Sequence, residues 1–324
     1  KLLTIIESMK RIVINACGLK SKGGITVFKK LIENNTDIKF YIIYDNYELK
    51  QLIGNNENIF IKTPRYLHAV LNYFIKKDDL KYINNFDEII HVANFGFKTK
   101  IKTYTLIQNV LPLVSPFTSF RNFILRILYI YSFKISDEII VQQPHIANML
   151  PASIKIKTIG KLKYKNIPQS KNQGFVLIYE DIKNKNPKFV IKFLSELTKL
   201  DLNINIVNIS KTQDLSFLKK LNFKNISVHN NVDNNALINI FKNNSHYIHT
   251  SKYETVGLPI YEALESGMKV IVPNEEYINI DNDNIYKYIL GDVNSLMETC
   301  KISLVSKYID EANVPIYYED WNLI

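Results

Sequence analysis

Two glutamates, separated by seven residues, stand on either side of a Gly-Leu-Pro sequence. Glu254 and Glu262 enclose this sequence at 257–259, and Gly267 follows five positions after the second glutamate. Proline is favoured at the start of a helix and glycine just past its end. The sequence therefore predicts a short helix, with Glu254 in the loop before it and Glu262 in its first turn.

The loop before this helix has the backbone chemistry of an anion site. The first N–H groups of a helix lack partners within the helix, and its dipole favours negative charge at that end. Carboxylates, in turn, accept hydrogen bonds from hydroxyl groups. Two carboxylates beside the loop 255–258 therefore predict a ligand with hydroxyls and phosphate, such as a sugar nucleotide. The alternative is a solvated helix start whose glutamates only favour the dipole.

A glycine-containing loop also follows the first apolar segment of the chain. Gly23 and Gly24 directly precede a predicted helix, where glycine lets a ligand approach the backbone closely. The spacing is not G-x-G-x-x-G, so it is not a dinucleotide-binding fingerprint. The pair predicts either a phosphate-facing loop or an ordinary turn.

Apolar segments alternate with helical segments along the chain, which predicts a parallel α/β architecture. Because the apolar segments are apolar throughout, both faces of each sheet are expected to be covered. Strands are predicted at 11–16, 39–44, 88–93, 103–108, 138–142, 156–160, 175–180, 204–209, 226–230, 246–250 and 269–273. Helices are predicted at 24–34, 65–84, 117–134, 144–150, 187–200, 214–221, 233–243, 258–266 and 292–307.

A polar, basic segment at 160–174 predicts a linker between two domains. The predicted domains are 1–162 and 163–309, and the tail from about 310 to 324, with the single tryptophan, is expected to return to the first. Ligands of such domains bind at the carboxyl ends of the strands.

The positive charge lies in one half of the chain. Residues 1–160 contain 22 Lys and Arg against 12 Asp and Glu, whereas the remainder contains 19 of each. A basic half attracts phosphates, anionic lipid or nucleic acid, but the chain has no nucleic-acid-binding motif, so nucleic acid is not expected. The segment 117–134 combines aromatic and aliphatic residues with Arg121, Arg126 and Lys134, which predicts either a core helix or a helix at a membrane surface.

The segment around the two glutamates resembles the E-x7-E signature of retaining glycosyltransferases with the GT-B fold. The resemblance rests on the order of Ser251, Glu254, 257–259, Glu262 and Gly267, followed by the strand KVIVP. This family, the glycosyl transferases of group 1, includes enzymes of the O-antigen, capsule and lipopolysaccharide type. The resemblance implies an α/β fold of two Rossmann-like domains whose parallel sheets face a central cleft.

The resemblance also implies roles for individual residues. Glu254 would hold a hydroxyl of the donor sugar and Lys185 its diphosphate, so these two are the predicted catalytic residues, while Glu262 would bind the ribose. An arginine that precedes the lysine by five residues in the family is replaced here by Glu180. The remaining implied donor-binding residues are Thr255, Val256, Gly257, Leu258, Gly23, Gly24, Asn231 and Val232.

The resemblance is looser in the first domain. Many relatives have a His-Asp pair after the fourth strand, where this chain has Gln108 and Asn109. Glutamine cannot act as a base, which fits a front-face mechanism in which the departing diphosphate takes the acceptor proton. Gln108, Asn109 and His91 are predicted to position sugar hydroxyls. The alternative for His91, and for His145, is a structural role in the core.

The predicted function is that of a metal-independent, retaining hexosyltransferase without a cofactor. Its donor would be a nucleotide sugar, with UDP suggested by family frequency. The acceptor would be a saccharide, linked to polyprenyl diphosphate, in bacterial surface polysaccharide biosynthesis. The alternatives are a sugar-nucleotide epimerase or phosphorylase of the same fold, and a non-catalytic protein that binds nucleotide sugars.

The cytoplasm is the predicted location of the protein. The chain begins without a signal-peptide layout, and two cysteines, Cys17 and Cys300, make no disulfide framework. Peripheral contact with the inner face of the cytoplasmic membrane is an additional expectation.

Overall fold

The computed structural model describes residues 10–61, 77–114, 120–169, 172–209, 215, 225–307 and 310–321. The chain divides into two compact units: Lys1–Lys161 with Glu319–Ile324, and Leu162–Tyr318. The sequence placed the tail from about 310 with the first unit. Residues 310–318 instead belong to the second, because the strand that they enter pairs with residues 160–168.

The first unit is built on a parallel seven-stranded sheet, in the order β3-β2-β1-β4-β5-β6-β7. Four of its strands are completely buried, as their uninterrupted apolar sequences predicted. The strands are β1 Ile12–Asn15, β2 Phe40–Tyr44, β3 Glu57–Phe60, β4 Glu88–His91, β5 Lys102–Ile107, β6 Glu138–Val141 and β7 Ile156–Thr158.

Helices connect the strands of this unit. The first, α1, begins earlier than predicted, because the Ser21 hydroxyl accepts a hydrogen bond from the Gly24 amide and so caps the helix from position 21. The predicted helix at 65–84 falls outside the described residues before position 77. The helices are α1 Lys22–Glu33, α2 Lys50–Ile53, α3 Lys77–Ile83, α4 Leu111–Val114, α5 Phe120–Ile135 and α6 Pro144–Asn148.

The end of the chain is anchored in the first unit. Trp321 is 1% exposed and lies in the core that covers one face of this sheet. The Asp320 amide donates to the Ile159 carbonyl at 2.9 Å. The Gln142 side chain donates to Glu319 Oε1 at 2.7 Å. These contacts attach the last residues next to β6 and β7.

The second unit contains a parallel six-stranded sheet, in the order β11-β10-β9-β12-β13-β14, and a two-stranded sheet of β8 and β15. The division between the two units falls inside the predicted linker at 160–174, but the first nine residues of this segment form a strand, β8. The strands are β8 Gly160–Pro168, β9 Phe175–Ile178, β10 Ile204–Val207, β11 Ile226–His229, β12 His246–Ile248, β13 Lys269–Pro273, β14 Ile285–Tyr288 and β15 Glu311–Glu319.

Four helices are described in the second unit, together with 3₁₀ turns at Lys183–Lys185 and Thr198–Leu200. The predicted helix at 214–221 lies outside the described residues except for position 215. No helix in the described part of the chain is both long and apolar enough to cross a membrane. The helices are α7 Pro187–Leu197, α8 Asn234–Lys242, α9 Leu258–Glu265 and α10 Val293–Val305.

Candidate active site in the second unit

An ion pair between two largely buried side chains lies beyond the carboxyl ends of β9 and β12. Lys185 Nζ lies 2.5 Å from Glu254 Oε1, and the two side chains are 19% and 17% exposed. Burial alone raises the pKa of Glu254, but the charges of Lys185 and then His249 lower it, so its pKa lies below the ordinary value. Glu254 is therefore an anion at neutral pH, held beside a cation.

The two loops that carry this pair are joined by hydrogen bonds. The Asn184 side chain donates to the Tyr253 carbonyl at 2.6 Å and accepts from the Tyr253 amide at 3.1 Å. The Lys252 amide donates to the Asn184 carbonyl at 2.8 Å, and the Thr250 hydroxyl donates to the Lys185 carbonyl at 3.2 Å. These four bonds fix the 3₁₀ turn that carries Lys185 against the loop that carries Glu254.

A second carboxylate lies near the lysine. Glu180 Oε2 is 4.0 Å from Lys185 Nζ, and the Glu180 side chain is 18% exposed. The Lys185 ammonium group thus stands between two carboxylates, of which Glu254 is much the closer. Glu180 stands where the resemblance implied an arginine, so this position adds a negative charge to the site and not a positive one.

A buried histidine lies behind Glu254. His249 Nε2 is 3.8 Å from Glu254 Oε1, and the His249 side chain is 2% exposed. On the other side of the ring, Nδ1 is 2.9 Å from the Tyr247 hydroxyl. Burial lowers the pKa of His249 to about 4, an effect that Glu254 opposes and Lys185 reinforces. His249 is therefore neutral at pH 7, and Tyr247, His249 and Glu254 form a buried polar row.

The helix α9 begins beside this row, as predicted. Gly257 precedes it in the left-handed conformation, with φ of 72°, and Pro259 occupies its first turn. The helix directs its first amide groups toward the loop that carries Glu254. Glu262 is the fifth residue of α9, so it lies at the start of the second turn and not in the first turn as expected.

The charges of both glutamates of the E-x7-E spacing raise the pKa of one tyrosine, Tyr247. The pKa of Tyr247 is raised first by burial, then by the charges of Glu254, Glu262 and Glu180. Three carboxylates thus lie within electrostatic range of a single buried hydroxyl.

The remaining predicted donor-binding residues of this unit lie in two loops. Thr255 and the buried Val256 continue the loop that begins α9. Asn231 follows β11 in the left-handed conformation, with φ of 55°, and the Val232 amide donates to the Asn208 carbonyl at 3.1 Å. The first loop adjoins the ion pair, and the second lies at the carboxyl end of β11.

The first unit brings together two of its predicted site residues. Gly23 and Gly24 lie in the first turn of α1 and not in a loop before it. A Cβ atom on Gly24 would lie 2.6 Å from Gln108 Oε1, so this turn is in close contact with the residue that follows β5. The Asn94 side chain accepts from the Gln108 amide at 2.6 Å and from the Asn109 amide at 2.9 Å. Asn94 has φ of 69°, a conformation in which asparagine is enriched. Gly23, by contrast, has no neighbouring atom within 4 Å of a Cβ position.

The two histidines considered in the first unit are both buried. His91 has no exposed surface, and its Nδ1 is 2.9 Å from the Asn15 side-chain nitrogen. Burial lowers its pKa to about 3. His145 is 9% exposed and lies on α6. Both positions fit the structural role that the sequence left open as the alternative.

Sequence reasoning missed Asn184 and His249. Asparagine in a polar turn is common, and a histidine at the end of a strand has no spacing that marks it. Only the fold places both beside Glu254. Among the described residues, no three His, Cys, Asp or Glu side chains are close enough together to hold a metal ion.

Residues 161–281 match the family model described as Glycosyl transferases group 1. This segment covers most of the second unit. It contains Lys185, Glu254 and Glu262, so the ion pair and the start of α9 both lie within the matched segment. No curated protein sequence matches the chain.

Solved structures resemble the whole chain. Sucrose-phosphate synthase from Thermosynechococcus elongatus has a TM-score of 0.66 at 12% identity, covering 92% of this chain and 90% of its own. Anabaena HepE, in complex with UDP and glucose, has a TM-score of 0.65 at 12% identity, with coverage of 91% and 90%. TarM has a TM-score of 0.64 at 13% identity, and the match covers 92% of each chain. A second matching structure is that of a TarM variant from S. aureus. These likenesses confirm the predicted GT-B class, with two Rossmann-like parallel sheets.

Proposed function

We propose that the protein is a retaining glycosyltransferase that moves a sugar from a UDP-sugar to a saccharide acceptor. The observation that carries the proposal is the buried pair of Lys185 and Glu254 beside the start of α9, inside the segment that matches the group 1 glycosyltransferase model. Solved neighbours add support for the donor class, because HepE was solved with UDP-glucose and the pneumococcal O-GlcNAc transferase GtfA with UDP and GlcNAc.

In this proposal the donor binds beside the ion pair of Lys185 and Glu254 and the start of α9. The Lys185 ammonium and the amides of 256–258 supply positive charge for the diphosphate. Glu254 accepts hydrogen bonds from the sugar and Glu262 from the ribose, since ionised carboxylates only accept. Backbone groups of Thr255, Asn231 and Val232 complete the contacts. The proposal includes no metal and no cofactor.

The proposed reaction takes place on one face of the sugar. The bond between the anomeric carbon and the diphosphate oxygen breaks, and the acceptor oxygen bonds to the same carbon on the same face. The acceptor proton passes to the departing diphosphate, so no protein base is needed. Lys185 and the helix amides stabilise the negative charge that develops on the leaving group.

The acceptor is the part of the proposal that depends on the first unit. Its excess of basic residues suits an anionic acceptor, and a saccharide linked to polyprenyl diphosphate has that chemistry. Such an acceptor would place the enzyme in bacterial surface polysaccharide biosynthesis, on the cytoplasmic side of the membrane. In this proposal Gln108 and Asn109 position hydroxyls of the acceptor or of the transferred sugar.

A panel of nucleotide sugars tests the proposal. Binding and slow hydrolysis are measured for the wild type, Glu254→Gln and Lys185→Met, with Glu265→Gln as the matched control. Glu265 lies at the end of α9, the helix that begins beside the ion pair, and is exposed. We expect one donor to bind and turn over, both site variants to lose turnover, and the control to keep it. Failure of every donor to bind the wild type would overturn the proposal.

The products separate the alternative functions. Proton NMR of the transferred sugar shows the donor's anomeric configuration if the enzyme is retaining. An epimerase would convert the donor into another nucleotide sugar without an acceptor, and a phosphorylase would need inorganic phosphate. A binding-only protein would bind the donor without turnover in the wild type, and the variants would then change only affinity.

A further inference from the structure

The helix α5 presents apolar side chains to solvent. Its buried residues are Leu125, Tyr129, Ser132 and Phe133, which hold it against the first unit. The large apolar side chains that are at least 36% exposed on this helix are Phe120, Phe123, Ile124, Ile127, Ile130 and Tyr131. Helices on protein surfaces normally show the opposite pattern, with polar residues outward.

The six exposed side chains form one continuous face, here called the α5 face. At 3.6 residues and ~5.4 Å per turn, they fall within an arc of roughly 120° and a length of roughly 17 Å. The four buried residues occupy the opposite side of the helix. Soluble monomers rarely expose a continuous apolar patch beyond a few hundred Å², and larger ones mark interaction sites.

Basic residues border the α5 face, and acidic residues are absent from the helix. Arg121 and Arg126 lie on its two sides at helical spacing, and Lys134 lies at its end. The helix belongs to the half of the chain with 22 Lys and Arg against 12 Asp and Glu. An apolar face with a basic border is complementary to a lipid surface that carries negative headgroups.

A cavity adjoins the same helix. It has a volume of about 630 Å³, and its lining is mostly apolar. The cations Arg126 and Lys134 line it together with Ile130, so it shares residues with the α5 face and its border. Apolar walls beside two cations suit a phosphate headgroup and the first part of an acyl chain.

We propose that the α5 face docks on an anionic lipid surface. Phe123, Ile124 and Ile127 enter the headgroup layer, while Arg121 and Arg126 contact lipid phosphates. The helix lies in the plane of the surface, because its 16 residues reach ~24 Å and a hydrocarbon core is ~30 Å thick. This proposal does not depend on the transfer reaction, and its test needs no donor.

Vesicle sedimentation of the full chain tests the proposal. We expect binding to vesicles of phosphatidylglycerol and phosphatidylcholine, and much weaker binding to phosphatidylcholine alone or in high salt. Ile127→Gln should weaken binding about tenfold, whereas Ile302→Gln should not. These residues are a matched pair, since Ile127 is 51% exposed and Ile302 is 52% exposed. Equal binding by the two variants would overturn the proposal.

A fluorescent label reports the depth of insertion. Cys17 and Cys300 are both buried, so Ile127→Cys and Ile302→Cys each add an accessible thiol. An environment-sensitive dye at 127 should shift to the blue with anionic vesicles, and the dye at 302 should not. Sedimentation velocity tests whether a second copy of the chain occupies the α5 face instead. A wild-type dimer that Ile127→Gln dissociates would also overturn the proposal, because a second copy would then cover the face.

Discussion

Lys185 Nζ and Glu254 Oε1 are 2.5 Å apart, and less than one-fifth of each side chain is exposed. The lysine proposed to bind diphosphate is thus already paired with the carboxylate proposed to bind sugar. A diphosphate must compete with Glu254 for this ammonium group. The pair holds both groups in position.

Removal of the lysine should destabilise the fold. Lys185→Met leaves the Glu254 carboxylate with its nearest cation gone, and we expect a loss on the order of 3 kcal/mol in the free energy of unfolding. Lys199→Met is the matched control. Lys199 Nζ is also 2.5 Å from a carboxylate, that of Glu196, but these side chains are 67% and 41% exposed.

An exposed pair contributes below about 1 kcal/mol. Urea denaturation of both variants measures the difference in the free energy of unfolding. Similar losses in the two variants would show that burial does not strengthen the Lys185–Glu254 pair.

Glu180 should weaken donor binding. Its carboxylate is 4.0 Å from Lys185 Nζ and repels a diphosphate that approaches the same ammonium group. Glu180→Gln removes this charge at nearly constant shape, so we expect the donor to bind about three- to tenfold more tightly at low salt. Calorimetric titration with the nucleoside diphosphate measures the effect.

A gain in affinity that fades with added salt would identify the effect as electrostatic. If Glu180→Gln instead weakened binding, the carboxylate would be accepting a hydrogen bond from the ligand.

The loop bonds of Asn184 should matter for ligand binding more than for stability. Asn184→Ala removes both side-chain hydrogen bonds to Tyr253, which releases the turn that carries Lys185. We expect a roughly tenfold rise in the donor KM and a loss of about 1–2 kcal/mol in stability. In the control, Asn243→Ala, a side-chain bond to the Asn239 carbonyl at the end of α8 is lost. An unchanged KM for Asn184→Ala would mean that the turn keeps its position without these bonds.

The sequence predicted the fold better than it predicted the site. Buried parallel strands are apolar throughout, so most of them were visible as uninterrupted segments. The strands β3 and β14 were missed, because they are partly exposed and polar residues interrupt them. β8 was interpreted as a linker, since its partner β15 lies more than 140 residues away and seven of its nine residues are exposed.

Local spacing predicted the part of the site that one segment builds. Glu254, Gly257 and Pro259 lie in a single loop and helix, so their relationship follows from the order of residues. The partners of Glu254 come from other elements: Lys185 follows β9, and His249 follows β12. Their distances depend on how neighbouring strands align, which periodicity does not reveal.

The two adjacent glycines of α1 should respond differently to alanine. At Gly24 a Cβ atom would meet Gln108 Oε1 at 2.6 Å and Leu19 Cδ1 at 2.7 Å, so Gly24→Ala should lower stability by about 1–3 kcal/mol. At Gly23 nothing lies within 4 Å, so Gly23→Ala should raise stability by up to ~1 kcal/mol through helix propensity.

Thermal unfolding measures both stability effects, and donor titration adds a functional readout. If the backbone at Gly23 faces the diphosphate, Gly23→Ala should bind the donor more weakly although it is more stable. Unchanged donor affinity would favour the alternative in which the start of α1 has no contact with phosphate.

Three buried histidines should make the fold sensitive to mild acid. Burial lowers the pKa of His91 to about 3 and the pKa values of His246 and His249 to about 4. In the unfolded chain a histidine has a pKa of about 6.5. Between these values the unfolded chain binds protons that the folded chain does not, so the free energy of unfolding falls as the pH falls from about 6.5 toward 4.

The ionisation of Glu254 affects the free energy of unfolding at lower pH than the histidines do. Its folded pKa is lowered, so its contribution to stability is present above its unfolded pKa and is lost as the pH falls through the folded value. The slope between pH 6 and 5 therefore reports the histidines. His249→Asn removes one titrating group, while its amide can still contact the Tyr247 hydroxyl. The slope should then decrease by about 1 kcal/mol per pH unit. Urea denaturation at pH 7, 6 and 5 measures this slope. An unchanged slope would show that His249 is protonated in the folded protein and pairs with Glu254 as a cation.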